Sequence, residues 1–104
     1  MTKDARRAKD LYQTAAELGY AAAQYHLGVC YEDGNGIKMD LAQAVVWYRR
    51  AADQGNAAAQ NNLGACYDKG QGVEMDPVQA AVLYRQAADQ GGARAVQVEP
   101  EIPS

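Results

Sequence analysis

Apolar residues recur along this chain at three- and four-residue intervals, and the same spacing returns 36 positions later. Ala23, Leu27 and Tyr31 stand at i, i+4 and i+8, as do Ala59, Leu63 and Tyr67, and each set marks one stripe of an amphipathic helix. A second kind of stripe, Ala44, Tyr48, Ala51 and Ala52, returns at Tyr84, Ala87 and Ala88. The pattern predicts a helix A over 21–32 and again over 57–68, and a helix B over 41–53 and 77–89. An earlier B-type helix is predicted over 5–18. The B helices carry clear start signals. Asp40 and Asp76 each precede a glutamine by three positions, the spacing of a capping box. Pro77 falls at a first helical position, where its missing N–H costs nothing. Gly55 and Gly91 follow the B helices as expected C-terminal stops. Gly28 and Gly64 lie inside helix A, where glycine costs about 1 kcal/mol relative to alanine. Its return in the same slot predicts a neighbouring helix too close for a Cβ.

Setting residues 19–54 over 55–90 gives 22 identities in 36 positions without a gap. The pattern extends upstream, with Asp4, Ala8, Tyr12, Ala15 and Ala16 in the slots of Asp40, Ala44, Tyr48, Ala51 and Ala52. Downstream, Gly91–Ala95 begins to copy Gly55–Ala59 and then stops. Repeats of this length, each a helix pair that cannot bury its apolar face alone, stack into a solenoid. The expected fold is therefore all-α, an α/α solenoid of antiparallel helix pairs with a 36-residue repeat. It would fill residues 1–95, with a partial first repeat over 3–18 and full repeats over 19–54 and 55–90. Residues 96–104 read as an extended or disordered tail, since Pro100 disfavours helical geometry at Glu99.

The repeat also explains two glycine-rich acidic loops, "YEDGNGIKMD" and "YDKGQGVEMD". Counted from Asp33, the glycine and glutamate that an EF-hand needs at its sixth and twelfth positions are Lys38 and Ala44. No Gly-Lys-Ser/Thr tripeptide makes a phosphate loop. These loops read as corners and helix caps. His26 is the only histidine and has no ligand triplet at metal spacing, and the only serine is Ser104. No catalytic residue, cofactor site or metal site is expected.

Composition narrows the picture further. In 104 residues, 48% are apolar and 22% charged, and thirteen acids outnumber ten scattered Lys and Arg for a net charge of −3. That balance argues against nucleic acid, and no apolar run is long enough to span a bilayer. The N-terminal ten residues carry charge without an apolar core and do not read as a secretory signal. The chain is expected in the cytoplasm if it is full length, and in the periplasm or outside the cell if it is a fragment.

The stretch "AAAQYHLGVCYEDGNGIKMDLAQAVVWYRRAADQG" resembles the Sel-one-like repeat family, relatives of the tetratricopeptide repeats. The matching elements are A-x-A-Q-x-x-L-G-x-x-Y-x-x-G-x-G-V-x-x-D and A-x-x-W-Y-x-x-A-A-x-x-G. They cover about residues 4–95. Leu83 stands where the family favours Trp, and Ile37 replaces Val. The resemblance implies an α-solenoid adaptor in assembling complexes, from a family with many bacterial members. Cys30 and Cys66 bring to mind the family's disulfide-rich branch, in which bridges join helices A and B of one repeat. Here both occupy the same slot of successive A helices. Packed helices stand about 8–10 Å apart, beyond the roughly 7 Å Cα limit of a disulfide, so two buried free thiols are expected. Such thiols suit a reducing compartment.

Slots that differ between the two copies are not needed for stacking. They include Tyr25/Asn61, His26/Asn62, Val29/Ala65 and Glu32/Asp68. In solenoids of this type the A helices line a concave groove. The expected partner-binding residues are Tyr25, His26, Val29, Asn61, Asn62, Ala65 and Asp68. "QNN" (Gln60–Asn62) suggests side-chain amides held to bond a peptide. Two function classes stand: an adaptor that binds a peptide or helix of another protein in the groove, and a structural module that self-assembles through its uncapped ends.

Overall fold

The computed structural model describes the backbone of residues 3–98 and the side chains of residues 3–90. Five helices follow one another, with no strand among the described residues: α1 (Lys3–Glu17), α2 (Ala21–Asp33), α3 (Leu41–Asp53), α4 (Ala57–Lys69) and α5 (Pro77–Val98). Each packs against its neighbours in sequence, and the body is elongated, 55 Å long and 29 by 21 Å across. This is the all-α solenoid read from the repeat. The A helices are α2 and α4, and the B helices are α1, α3 and α5.

The helix starts follow from their caps. The Asp40 carboxylate accepts from the Gln43 N–H at 3.1 Å, and Asp76 accepts from Val78 and Gln79 at 3.1 and 3.2 Å. Asn56 caps α4 through the Ala59 N–H at 2.8 Å. Its counterpart before α2 is Tyr20, which offers no side-chain cap. The A helices end in left-handed Gly34 and Gly70, whose N–H groups bond back to the Cys30 and Cys66 carbonyls. Gly36 and Gly72 then press the loop onto the preceding B helix. A Cβ on either would stand 2.3 Å from the carbonyl oxygen of Ala5 or Leu41. The glycine loops are thus corners that lock one repeat onto the helix before it.

One expected stop is absent. Gly55 ends α3 with φ +93°, but α5 continues through Gly91 and Gly92 to Val98. A B helix turns back where the next A helix packs against it. Among the described residues no A helix packs beyond α5, and Ala93, Arg94, Ala95 and Gln97 favour helix enough to continue. Residues 96–98, expected in the tail, are therefore helical, and residues 99–104 lie outside the described part.

The core forms two clusters. One gathers Ala44, Val45, Tyr48, Ala51, Ala52, Ala59, Leu63, Cys66 and Leu83 from α3, α4 and α5. The other joins Ala16, Ala23 and Leu27 to Trp47. A repeated amide ladder stitches the helices beside them. Gln24 Nε2 donates to the Ala16 carbonyl at 3.1 Å, and Gln60 Nε2 to the Ala52 carbonyl at 3.2 Å. Gln54 and Gln90 in turn donate to the Gln24 and Gln60 carbonyl oxygens, each at 2.8 Å. Every buried polar side-chain atom among the described residues has a partner, as a closely packed interior requires.

Candidate interaction surface on the A helices

Tyr48 organises the space between α2 and α4. Its side chain rises from α3, fully buried, into the gap left by Gly28. Its hydroxyl donates to Glu32 Oε1 at 2.6 Å, and the Asn62 side chain lies nearby. Burial first, and then the bond to the Glu32 carboxylate, pushes the Tyr48 phenol far above its ordinary pKa. Cys66 lies in the same region. Burial and the Glu32 charge raise its thiol pKa, against a smaller lowering by Lys69. Cys30 is raised by burial and by Asp33, against Lys9. Both cysteines are free and buried, so the A-helix slot holds two small apolar side chains.

Around that centre the expected partner-binding residues divide into groups. Tyr25 is half-buried, its ring 6.1 Å from that of Tyr48. His26 is exposed, stacked on Tyr12 of α1 at 4.9 Å and edge-on to Tyr25 at 5.1 Å. These three rings form one continuous patch on α1 and α2. Val29 is half-buried and packs beside Tyr25 against the larger cluster. On α4, Asn61 and Asp68 are exposed and Ala65 is half-buried.

The reading of the amide run is corrected at Gln60, which is buried and bonded within the ladder, while Asn62 is half-buried near Tyr48. Of the three amides only that of Asn61 is exposed. The signal for Gln60 was present in the sequence, since its slot is identical in both repeats and identical slots serve stacking. Tyr12, placed by the repeat only as the counterpart of Tyr48, joins the patch by stacking on His26, a contact between helices that the repeat comparison does not show. A further inter-repeat contact joins Arg49 to Tyr67, with the guanidinium 5.5 Å from the ring centroid and donating to its hydroxyl.

Among the described residues, no cluster of three or more His, Cys, Asp or Glu side chains could hold a metal ion. No described helix is long and apolar enough to cross a membrane. What the surface offers is a rigid aromatic patch beside exposed polar side chains, which suits recognition.

Comparison with known proteins gives this arrangement a context. The family model for the Sel1 repeat matches residues 1–20, 21–56 and 57–92. Among solved structures, the chain is similar to c5321, a protective antigen of uropathogenic Escherichia coli displaying an SLR fold. The identity is 44% and the TM-score 0.81, over 83% of this chain and 18% of that one. It is also similar to cysteine rich protein B of Helicobacter pylori, at 26% identity and a TM-score of 0.79, covering 94% of this chain and 72% of that one. A curated relative, DAP3-binding cell death enhancer 1 of Rattus norvegicus, is 44% identical over 45 residues. That match takes in 43% of this chain, which thus spans only 9% of the relative's length.

Proposed function

The chain belongs to the Sel1 repeat family, whose members generally serve as protein–protein interaction scaffolds, and we propose that it binds a peptide or helix of another protein across the face of α2 and α4. The observation that carries this reading is the ring patch in which exposed His26 stacks on half-buried Tyr12 and meets half-buried Tyr25 edge-on. Tyr25 and His26 differ from their counterparts Asn61 and Asn62, and His26 is exposed beside half-buried Tyr25. Rigid aromatic side chains give large contact area for little lost rotamer entropy, which is why they anchor protein interfaces. The helices beneath them are held by Tyr48 and the amide ladder, so the surface is preformed and little ordering opposes docking. Exposed Asn61 and Asp68 add polar contacts at the α4 end. The name of the rat relative records binding to another protein, which agrees with a protein partner here.

The reading is tested by photo-crosslinking. A benzophenone side chain is placed at His26, and in a second variant at Gln79, an exposed position on α5. The proposal expects a discrete cross-linked partner from position 26 and a markedly lower yield from position 79. Equal yields at both would remove the A-helix face as the site.

A further inference from the structure

Charge is divided unevenly between the two kinds of helix. Up to residue 90, seven of the eight Lys and Arg on helices stand on the B helices α1, α3 and α5, and the A helices carry Lys69 alone. Against it α2 and α4 place Glu32, Asp33 and Asp68. These carboxylates share a register with the rest of the A-helix face. Tyr25, Val29 and Glu32 stand at i, i+4 and i+7 on α2, and His26 and Asp33 are likewise seven apart. Asn61, Ala65 and Asp68 repeat the spacing on α4. Seven helical residues rise about 10 Å. Each A helix therefore carries rings or an amide at one end of its face, a smaller apolar side chain in the middle and a carboxylate at the other end.

No cation within the described residues meets these carboxylates. Glu32 is half-buried, and its hydrogen bond comes from the neutral Tyr48 hydroxyl. Neither Glu32, Asp33 nor Asp68 has an ion pair among the described residues. Lys9, whose charge acts on Cys30 against that of Asp33, is paired with Asp10 at 2.9 Å. A half-buried carboxylate without a cation has lost hydration that an opposite charge would replace.

We propose that the segment docking on this face is basic. It lays an apolar side chain on the rings of Tyr25 and His26 and sets a lysine or arginine at Glu32 and Asp33, with a second cation at Asp68. In an extended segment three residues span about 10 Å, so anchor and cation lie within about three positions of each other. The methylene stem of the basic residue crosses Val29 while its charged head reaches the carboxylates. An acidic segment meets like charge here and is turned away. This inference rests on the α2–α4 face being the docking surface and names the chemistry of what docks there.

The test uses random peptides displayed on phage and selected against the intact, reduced chain. Enriched peptides are then synthesised and titrated into 15N-labelled protein. The expected sequences carry Lys or Arg near an apolar residue and shift the His26, Val29 and Asp33 amides saturably. Their binding should weaken as salt rises from about 0.05 to about 0.5 M. Asp33→Lys installs the residue that the second repeat already holds in that slot, Lys69, so the fold accommodates it. It should weaken a basic peptide about fivefold or more, and Asp68→Asn roughly twofold to fivefold. Both positions are exposed, so neither change should lower the melting temperature. Neutral or acidic peptides that shift the same amides would overturn this inference and leave the face as the docking surface. Basic peptides bound there with an affinity indifferent to Asp33→Lys and to salt would do the same. Shifts confined to other helices, or no enrichment at all, would remove the face itself and this inference with it.

Discussion

Replacing Gly28 and Gly64 with alanine, one at a time, separates two energies that act in opposite directions at the same repeat slot. Alanine is favoured over glycine in a helix interior by about 1 kcal/mol. Against this stands the room for one methyl group. At Gly28 a Cβ would lie 2.6 Å from both Cδ1 and Cε1 of Tyr48 and 3.3 Å from the Ala44 carbonyl. That ring is fully buried, and its hydroxyl is held by Glu32. It cannot retreat without breaking that bond, so overpacking of roughly 1–3 kcal/mol outweighs the helix gain. At Gly64 the nearest atoms belong to Tyr84, at 3.0, 3.1 and 3.3 Å. Tyr84 is 38% exposed and has no hydrogen bond among the described residues, so its ring can swing outward. Gly28→Ala is therefore expected to destabilise by about 1–2 kcal/mol. Gly64→Ala is expected to be neutral or stabilising by up to about 1 kcal/mol. Urea unfolding gives both values, and thermal melts should differ by several degrees, since about 1 kcal/mol moves the midpoint of a domain this size by roughly 4–8 °C. If Gly28→Ala stabilises, or if both variants lose the same amount, then Tyr48 is not the rigid wall described here.

Three other predictions follow from the same packing. The raised pKa values of Tyr48, Cys30 and Cys66 mean that the folded state holds their protons more tightly than the unfolded state. Stability should therefore be intact below the ordinary thiol value of 9.0 and fall as pH rises above it. Denaturant midpoints measured across that range check the sign, and a rise in stability would contradict it. Under native, non-reducing conditions a thiol reagent should label neither cysteine quickly and both after unfolding, with mass spectrometry reading out the adducts; a disulfide-linked species would refute this. Gln24→Met keeps the volume but leaves the Ala16 carbonyl and the Gln54 amide short of a partner. It should cost about 1–3 kcal/mol in urea unfolding, and an unchanged midpoint would show the ladder to be incidental.

How far the sequence disclosed this molecule depends on which comparison each residue permitted. Where two copies could be overlaid, stacking was legible: Leu27 with Leu63, Gly28 with Gly64, and the caps at Asp40 and Asp76 all serve as their recurrence implied. What overlay could not reveal was the difference between a slot with neighbours on both sides and the same slot at an end. Tyr48 and Tyr84 are one letter in the alignment, yet one is a buried hydrogen-bonded pillar and the other a surface ring. Glu32 and Asp68 share a slot as well, and only the longer side chain has a hydrogen bond to its tyrosine among the described residues. The same blindness misplaced Gln60, whose amide is spent between the Ala52 carbonyl and the Gln90 side chain rather than left for a partner. The missing stop at Gly91 has this origin too: a glycine permits a turn, but an A helix must be present to hold it. In a solenoid a residue's role is fixed by the repeat on either side of it, and local sequence identity carries only half of that environment. The slots that break the repeat are therefore where this chain can differ from another stack of the same helices.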